Sequence, residues 1–362
     1  MMKMLFIKAV FIDLKLPIYK QTNKKDLGKV LCFGELLFRI SLDAEGNWLK
    51  KNNVPFYMGG AELNVATALA LWDVPVQYFT ALPANHMSAQ ISTHLKDKGI
   101  DSEKIYYHGD RVGLYILTKG ADIKNDSLIY DRAHSAFAEL KPGMIDWDKV
   151  LDGVSWFHFS AICPAINQNV ADVCKEALIA ASAKNITISI DLNYRSKLWK
   201  YGKSPEQVIP ELASYCDLVM GNIWAAETML GIPVEEGLET IAKKENYLQA
   251  ALKTSQYITE HYPKCKTVAN TFRFDADGGI IYYTSLYTGG EYYNTTDYAA
   301  TKIVNKVGSG DCFMAGLIYG FYNQNSPAEI LEFATAAAFD KLFLEGDATC
   351  RTSDEIKNVI TK

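Results

Sequence analysis

The chain has 362 residues, 49% of them hydrophobic, 22% charged and 12% aromatic, with a formal net charge of −5. So much apolar and aromatic matter excludes a disordered chain, and 42 acids against 37 bases speak against a protein that binds nucleic acid by neutralising phosphates. No apolar stretch reaches the roughly 18 to 20 uncharged residues of a membrane-spanning helix, which leaves a soluble enzyme or binding protein with a large core.

The seven cysteines (Cys32, Cys163, Cys174, Cys216, Cys265, Cys312 and Cys350) are scattered and none has CxxC spacing. Buried free thiols in a reducing cytosol are expected, with neither a disulfide framework nor a zinc site. The six histidines form no HExxH and no pair at helical spacing, so no protein-ligated transition metal is predicted.

Residues 1–22 open with a basic start, but Lys8, Asp13 and Lys15 interrupt the apolar run and no small-residue cleavage site follows. Residues 1–28 are expected to be an extension, and 29–362 one domain. A strand over Lys29–Phe33 leads into Gly34 and Glu35, and the pieces 36–41 and 54–58 predict a hairpin. Gly59 and Gly60 then punctuate the chain before a small-residue helix over 61–72, followed by a helix over 86–98. Residues 112–118 and 127–132 flank a polar loop, 119–126, and predict a second hairpin. The strands within about 36–58 and 111–132 are expected to form a small sheet projecting from the main domain. Beyond them come strands over 154–159, 186–190, 218–220, 267–269 and 280–284, with helices over 169–184 and 327–344. Ser326 and Pro327 mark the start of the last helix.

Strands alternating with helices predict a mostly parallel sheet covered on both faces. Ligands of such sheets sit outside the carboxyl ends of the strands. The polar residues expected there are Glu35, Ser160, Asp191, Asn193, Arg195, Asn222 and Asn270.

The sharpest local signal is the segment 304–311, VNKVGSGD, which runs directly into a helical pattern. Gly308 and Gly310 free the backbone to turn consecutive N–H groups toward an anion, and the positive end of the helix faces the same point. Asp311 falls in the first helical turn. An anion hole beside a carboxylate suits phosphoryl transfer: the carboxylate takes the proton of an attacking hydroxyl and the N–H groups stabilise the transferred charge. Neither a dinucleotide fingerprint nor a Walker A loop fits, because Phe313 stands at the third glycine of the one and Lys197 at the first glycine of the other.

These residues resemble the ribokinase-like (PfkB) sugar kinases, whose signatures are an early GG-x-x-x-N and a late DTxGAGD. The match runs from about Lys29 to the C-terminus. Within the family, GGAELNVA (59–66), GLY (113–115), IYDRAHSA (129–136) and DLNYRSKLW (191–199) are most similar to the 2-keto-3-deoxygluconate kinases. The resemblance implies an α/β three-layer sandwich with a mostly parallel central sheet and a small β-sheet lid. It implies Asp311 as the base, with Gly308, Ser309 and Gly310 as the anion hole. Gly59, Gly60, Asn64, Tyr115, Tyr130, Arg132, Asn193 and Arg195 would hold the sugar, and Asn222 and Asn270 the nucleotide. The two arginines suit a substrate carboxylate, which a guanidinium binds with two parallel bonds.

The expected reaction is therefore ATP- and Mg²⁺-dependent phosphorylation of a terminal hydroxyl of 2-keto-3-deoxygluconate. Fructose, a keto-deoxygalactonate, or mere sensing of a sugar acid are the alternatives. Small molecules are the expected partners, with no nucleic acid and no membrane, and two copies are expected to pair through the lid. Three positions depart from the family pattern. Asn305 stands where an Asp helps bind a monovalent cation in many relatives, and Lys306 is expected to supply the positive charge in the cation's place. The magnesium-linked N-x-x-E reads Asn222 to Ala225, with Glu227 two residues beyond, so no residue is assigned to the metal. The segment 266–274, KTVANTFRF, lacks the usual glycine turn.

Overall fold

The first strand, Lys29–Phe33, alternates its side chains between two cores: Val30 and Cys32 enter one, Leu31 and Phe33 the other. A strand buried on both faces belongs at the middle of a covered sheet, and it pairs in parallel with Val76–Phe79 on one side and Val154–Ser160 on the other. The computed structural model describes residues 27–43, 45–118, 128–238, 243–276 and 279–360. The expected extension lies outside the described residues except for Leu27 and Gly28, and so does the polar loop 119–126.

From Val154–Ser160 the sheet continues in parallel through Thr187–Asp191, Leu218–Gly221 and Thr267–Ala276. There the alternation ends. Thr267–Ala276 turns back on Gly279–Thr288 in an antiparallel ladder of ten residue pairs, and Glu291–Asn294 and Tyr298–Ala300 add to that strand antiparallel. The short strands expected at 267–269 and 280–284 are thus the two arms of one long hairpin. The parallel strand Ile100–Asp101 closes the other edge.

Helices Ala61–Leu71, Ser309–Tyr322 and Pro327–Lys341 fill one face of the sheet, and Gln168–Ala183, Ile209–Ala213 and Ile223–Leu230 the other. The result is the three-layer sandwich that the residues led us to expect. The last long helix starts where predicted, with a capping box: the Ser326 side chain accepts the Glu329 N–H while the Glu329 carboxylate accepts the Ser326 N–H at 2.9 Å. It stops at Lys341, three residues early, in a turn that reaches Gly346 at φ 81°.

The lid is a four-stranded sheet in the order Phe56–Gly59, Leu37–Leu42, Gly113–Thr118, Ile129–Asp131. Both expected hairpins form, and they join through a parallel pairing of Leu37–Leu42 with Gly113–Thr118. Its edge strands expose Phe56 and Ile129. Six of the seven cysteines are buried free thiols; Cys350 is exposed. No described helix is long and apolar enough to cross a membrane.

Candidate active site

A cleft of about 410 Å³ opens between the lid and the carboxyl ends of the parallel strands, a size that suits a small ligand. On its floor lies the loop that ends at Gly308. This residue has φ 79°, and a Cβ there would come within 1.8 Å of the Asp347 carbonyl oxygen, so only glycine fits. The helix Ser309–Tyr322 begins at once with no side chain capping its first N–H groups among the described residues, and its first turn lines the cleft.

Asp311 sits in the first turn of this helix, nearly buried and on the cleft wall. Its Oδ2 accepts a hydrogen bond of 2.7 Å from Asn64 Nδ2. Burial pushes its pKa up to about 6, against the pull of the Asn64 bond and the Arg195 charge. A base with that value is ionised at neutral pH and still avid for a proton. Asn64 comes from the helix Ala61–Leu71, which Gly60 can begin because, at φ 136°, it lies against the Glu35 carbonyl where a side chain would collide. Asn64 Oδ1 is buried with no hydrogen-bond partner among the described residues, an acceptor suited to a substrate hydroxyl.

Asp191, Asn193 and Arg195 follow the end of strand Thr187–Asp191 and line the same cleft. Asp191 Oδ1 accepts the Asn193 N–H at 3.0 Å. Burial, then the negative charge of Asp311, raise the Asp191 pKa to about 8. Arg195 donates to the Tyr194 carbonyl at 3.0 Å and forms no ion pair among the described residues.

The lid supplies Tyr115 and Tyr130, which pair directly across two strands with rings 6.4 Å apart. Arg132 follows them but is not aimed at a ligand alone. Its Nε and Nη2 both bind Glu35 Oε2, at 2.7 and 2.6 Å, while Ser135 donates to Glu35 Oε1 at 2.5 Å. A guanidinium so deeply buried needs that counter-charge. Of the two arginines expected to meet a substrate carboxylate, Arg195 is the one with no ion pair among the described residues.

Of the expected site residues, the structure brings Gly60, Asn64, Tyr115, Tyr130, Arg132, Asn193, Arg195, Asn222, Gly308, Ser309, Gly310 and Asp311 to one cleft. Gly59 and Asn270 do not line it. Gly59 backs onto the Asp347 carboxylate, and Asn270 is buried with its amide on Ser255 at 3.3 Å. Asn222 caps the helix Ile223–Leu230, its Oδ1 accepting the Ala225 N–H at 2.8 Å. Glu227 is exposed and holds the Val234 N–H, away from the cleft. Lys306 lines the cleft mouth and its ammonium meets Asp275 at 2.9 Å. The buried ammonium beside Asn305 belongs instead to Lys341: both residues donate to the Gly346 carbonyl, at 3.1 and 3.0 Å.

Several working residues carried no local signal. Asp347 takes the Tyr115 hydroxyl at 2.5 Å on one oxygen and Arg39 Nε at 2.6 Å on the other, tying the lid to the floor. Glu62 is buried on the cleft wall with its Oε1 holding the Ser160 N–H and hydroxyl, and burial raises its pKa. Arg273 and Tyr282, paired across the long hairpin, line the cleft, where the Tyr282 hydroxyl is buried with no hydrogen-bond partner among the described residues.

A covered parallel sheet, a glycine loop at a helix start, a buried carboxylate beside it and a lid over the cleft suit a kinase of small hydroxylated molecules. Comparison with known proteins agrees. Residues 27–352 match the model of the pfkB family carbohydrate kinases. A 2-dehydro-3-deoxygalactonokinase of Haloferax volcanii is 25% identical over 339 residues, 92% of this chain and 96% of that protein. A 2-dehydro-3-deoxygluconokinase of Bacillus subtilis is 22% identical over 316 residues, 87% of this chain and 90% of the other. The crystal structure of a 2-dehydro-3-deoxygluconokinase from Thermotoga maritima superposes with a TM-score of 0.82 at 33% identity, covering 92% of this chain and all of that one. The chain belongs to the PfkB family of carbohydrate kinases and has the ribokinase-like fold.

Proposed function

We propose that the protein phosphorylates the terminal hydroxyl of a 2-keto-3-deoxy sugar acid, with 2-keto-3-deoxygluconate as the substrate and ATP with Mg²⁺ as the donor. The observation that carries the reading is Arg195: a guanidinium with no ion pair among the described residues, on the wall that also holds Asp311, suits a substrate that brings its own carboxylate. The galactonate epimer is the second reading, favoured by the relative from Haloferax volcanii.

The residues present suit the donor. The N–H groups at the helix start fit phosphate, and Arg273, Lys306 and the orphaned Tyr282 hydroxyl line the outer cleft. Among the described residues no cluster of three His, Cys, Asp or Glu side chains forms a metal cage, in keeping with Mg²⁺ held mainly by nucleotide phosphates. When bound, the donor supplies the γ-phosphoryl group and the metal neutralises its charge. The chain does the rest. Arg195 fixes the acid end of the sugar, and Tyr115 and Tyr130 close over it from the lid, excluding water. Asn64 Oδ1 accepts from a sugar hydroxyl while its amide holds Asp311 in place. Asp311 takes the proton of the attacking hydroxyl, and the N–H groups of Gly308, Ser309 and Gly310 stabilise the charge on the transferred group.

The test is ADP release on a panel of 2-keto-3-deoxygluconate, 2-keto-3-deoxygalactonate and fructose. Turnover of the acids well above fructose is expected, and Asp311→Asn should lose about 10²- to 10⁴-fold in kcat while staying folded. Preference for fructose, or an unchanged kcat in the variant, overturns the reading.

A further inference from the structure

Lys341 ends the helix Pro327–Lys341, and its side chain is wholly buried, at 0% exposure. A lysine is retained in such a place only if its protons are taken and its charge is used, since an apolar side chain of similar length would be buried far more easily. Lys341 Nζ donates to the carbonyl oxygens of Gly346 at 3.0 Å and Leu344 at 3.3 Å. No carboxylate forms an ion pair with it among the described residues. The charge therefore rests on backbone carbonyls just past the negative end of a helix, as a bound monovalent ion would.

What those carbonyls support is the catalytic floor. Gly346 also accepts from Asn305 Nδ2 at 3.1 Å, and Asn305 Oδ1 takes the Val307 N–H at 3.0 Å. Gly308 lies directly on this turn: a Cβ there would meet the Asp347 carbonyl at 1.8 Å and Lys341 Cε at 3.4 Å. Ser309 is fastened to the same helix through the Ala338 carbonyl at 2.8 Å. On its other side the turn ends in Asp347, whose carboxylate holds Arg39 and Tyr115 of the lid. One buried ammonium thus gathers the segment on which both the anion hole and the lid rest.

We propose that Lys341 is a positioning residue for phosphoryl transfer, a built-in monovalent cation that holds the turn 344–347 in shape and sets a positive charge beneath the anion hole. Burial draws its pKa down, against the opposing charges of Asp347 and Asp311. With the ammonium in place the protein needs no monovalent ion from solution. Without it, the carbonyls of Leu344 and Gly346 form a nest that potassium or ammonium would fill. The proposal rests on the kinase activity of the family and not on which sugar acid is the substrate.

Full-length wild type, Lys341→Ala and Lys341→Met are compared in potassium chloride, ammonium chloride and choline chloride at equal ionic strength. Wild-type kcat should agree within about twofold in all three salts. Lys341→Ala should lose about 10²-fold or more in kcat, on the scale of removing an anion-hole donor, with little change in KM for the sugar acid. It should regain at least about tenfold in potassium or ammonium but not in choline. Lys341→Met, which fills the space, should lose kcat without rescue. The melting temperature of Lys341→Ala should rise in potassium relative to choline while that of wild type does not, a readout that needs no substrate. Strong activation of wild type by potassium overturns the proposal, as does a folded Lys341→Met with wild-type kcat. Loss in Lys341→Ala with no cation-specific recovery of rate or stability reduces Lys341 to packing and overturns it as well. If Lys341→Ala does not fold, Lys341→Met and the wild-type salt series decide.

Discussion

Asp191 is held in the folded chain at a cost that changes with pH, and Asp191→Asn should expose that cost. Burial and the neighbouring Asp311 raise its pKa from the ordinary 3.8 to about 8. A carboxyl with a raised folded value keeps a proton that the unfolded chain has already released. Stability therefore falls as pH rises from about 4 to about 8 and is indifferent to this group below that window. Linkage puts the ceiling of the deficit at about 4 kcal/mol at pH 7 and about 2 kcal/mol at pH 5. Asparagine still offers an oxygen to the Asn193 N–H, now at 3.0 Å from Asp191 Oδ1, and it cannot ionise. The variant should be the more stable protein, with a gain larger at pH 7 than at pH 5. Urea denaturation followed by fluorescence of the six tryptophans measures this as a shift in midpoint at each pH, and terms common to both proteins cancel. An equal gain at the two pH values would show that the carboxyl is not titrating. A loss at pH 7 would refute the reasoning outright.

The remaining predictions concern the base and the arginines. Asn64→Leu removes the 2.7 Å bond that holds the Asp311 pKa down, so the acid limb of kcat/KM, expected near pH 6, should move upward; an unmoved limb in the pH–rate profile counts against Asp311 as the base. Arg195→Leu should raise KM for the sugar acid about tenfold or more and leave KM for fructose almost unchanged, with equal effects arguing against carboxylate recognition. Arg132→Leu strands Glu35 in the interior and should cost about 3 to 5 kcal/mol of stability, whereas Arg195→Leu should leave the unfolding midpoint nearly in place. Similar losses in both variants would refute the division of roles between the two arginines.

The difference between those arginines also marks how far the amino-acid order could be read. Features that depend on neighbours in the chain were legible: the two-glycine break before Asn64, the glycine loop that opens the helix of Asp311, the capping box at Ser326, and the alternation that builds the lid. Features made by distant partners were not. Nothing near Arg132 announces Glu35, 97 residues earlier, and nothing near Arg39 announces Asp347, 308 residues later. The strand Val76–Phe79 went unread because four buried residues after a turn show no period of their own. The long hairpin was cut short because Arg273 and Asp275 look like loop chemistry until the facing strand shows them paired with Tyr282 and Ile280. Lys306 is the charge beside the glycine loop in sequence, yet it reaches outward to Asp275, and the ammonium under the loop comes from Lys341, at the end of the helix Pro327–Lys341.

These placements explain how a chain of net charge −5 can be built to accept two anions. The cleft itself is rich in acids: Glu35, Glu62, Asp191 and Asp311 line it, and Asp347 lies just behind. Two of them are cancelled by deeply buried guanidinium groups, Glu35 by Arg132 and Asp347 by Arg39. Two more are pushed toward their neutral forms by burial, Asp191 to about 8 and Glu62 in the same direction. What then bears on a ligand is chiefly Asp311, whose pKa lies at about 6, set against Arg195 on the wall, Lys341 beneath the floor and the positive end of a helix. The field that matters is assembled within a few ångströms and is shielded by the protein from the overall charge, because low-dielectric surroundings strengthen near charges while salt and water screen far ones. The same arrangement suits the role proposed for Asp311: while Asp191 holds its proton, that carboxyl does not compete for the proton of an attacking hydroxyl.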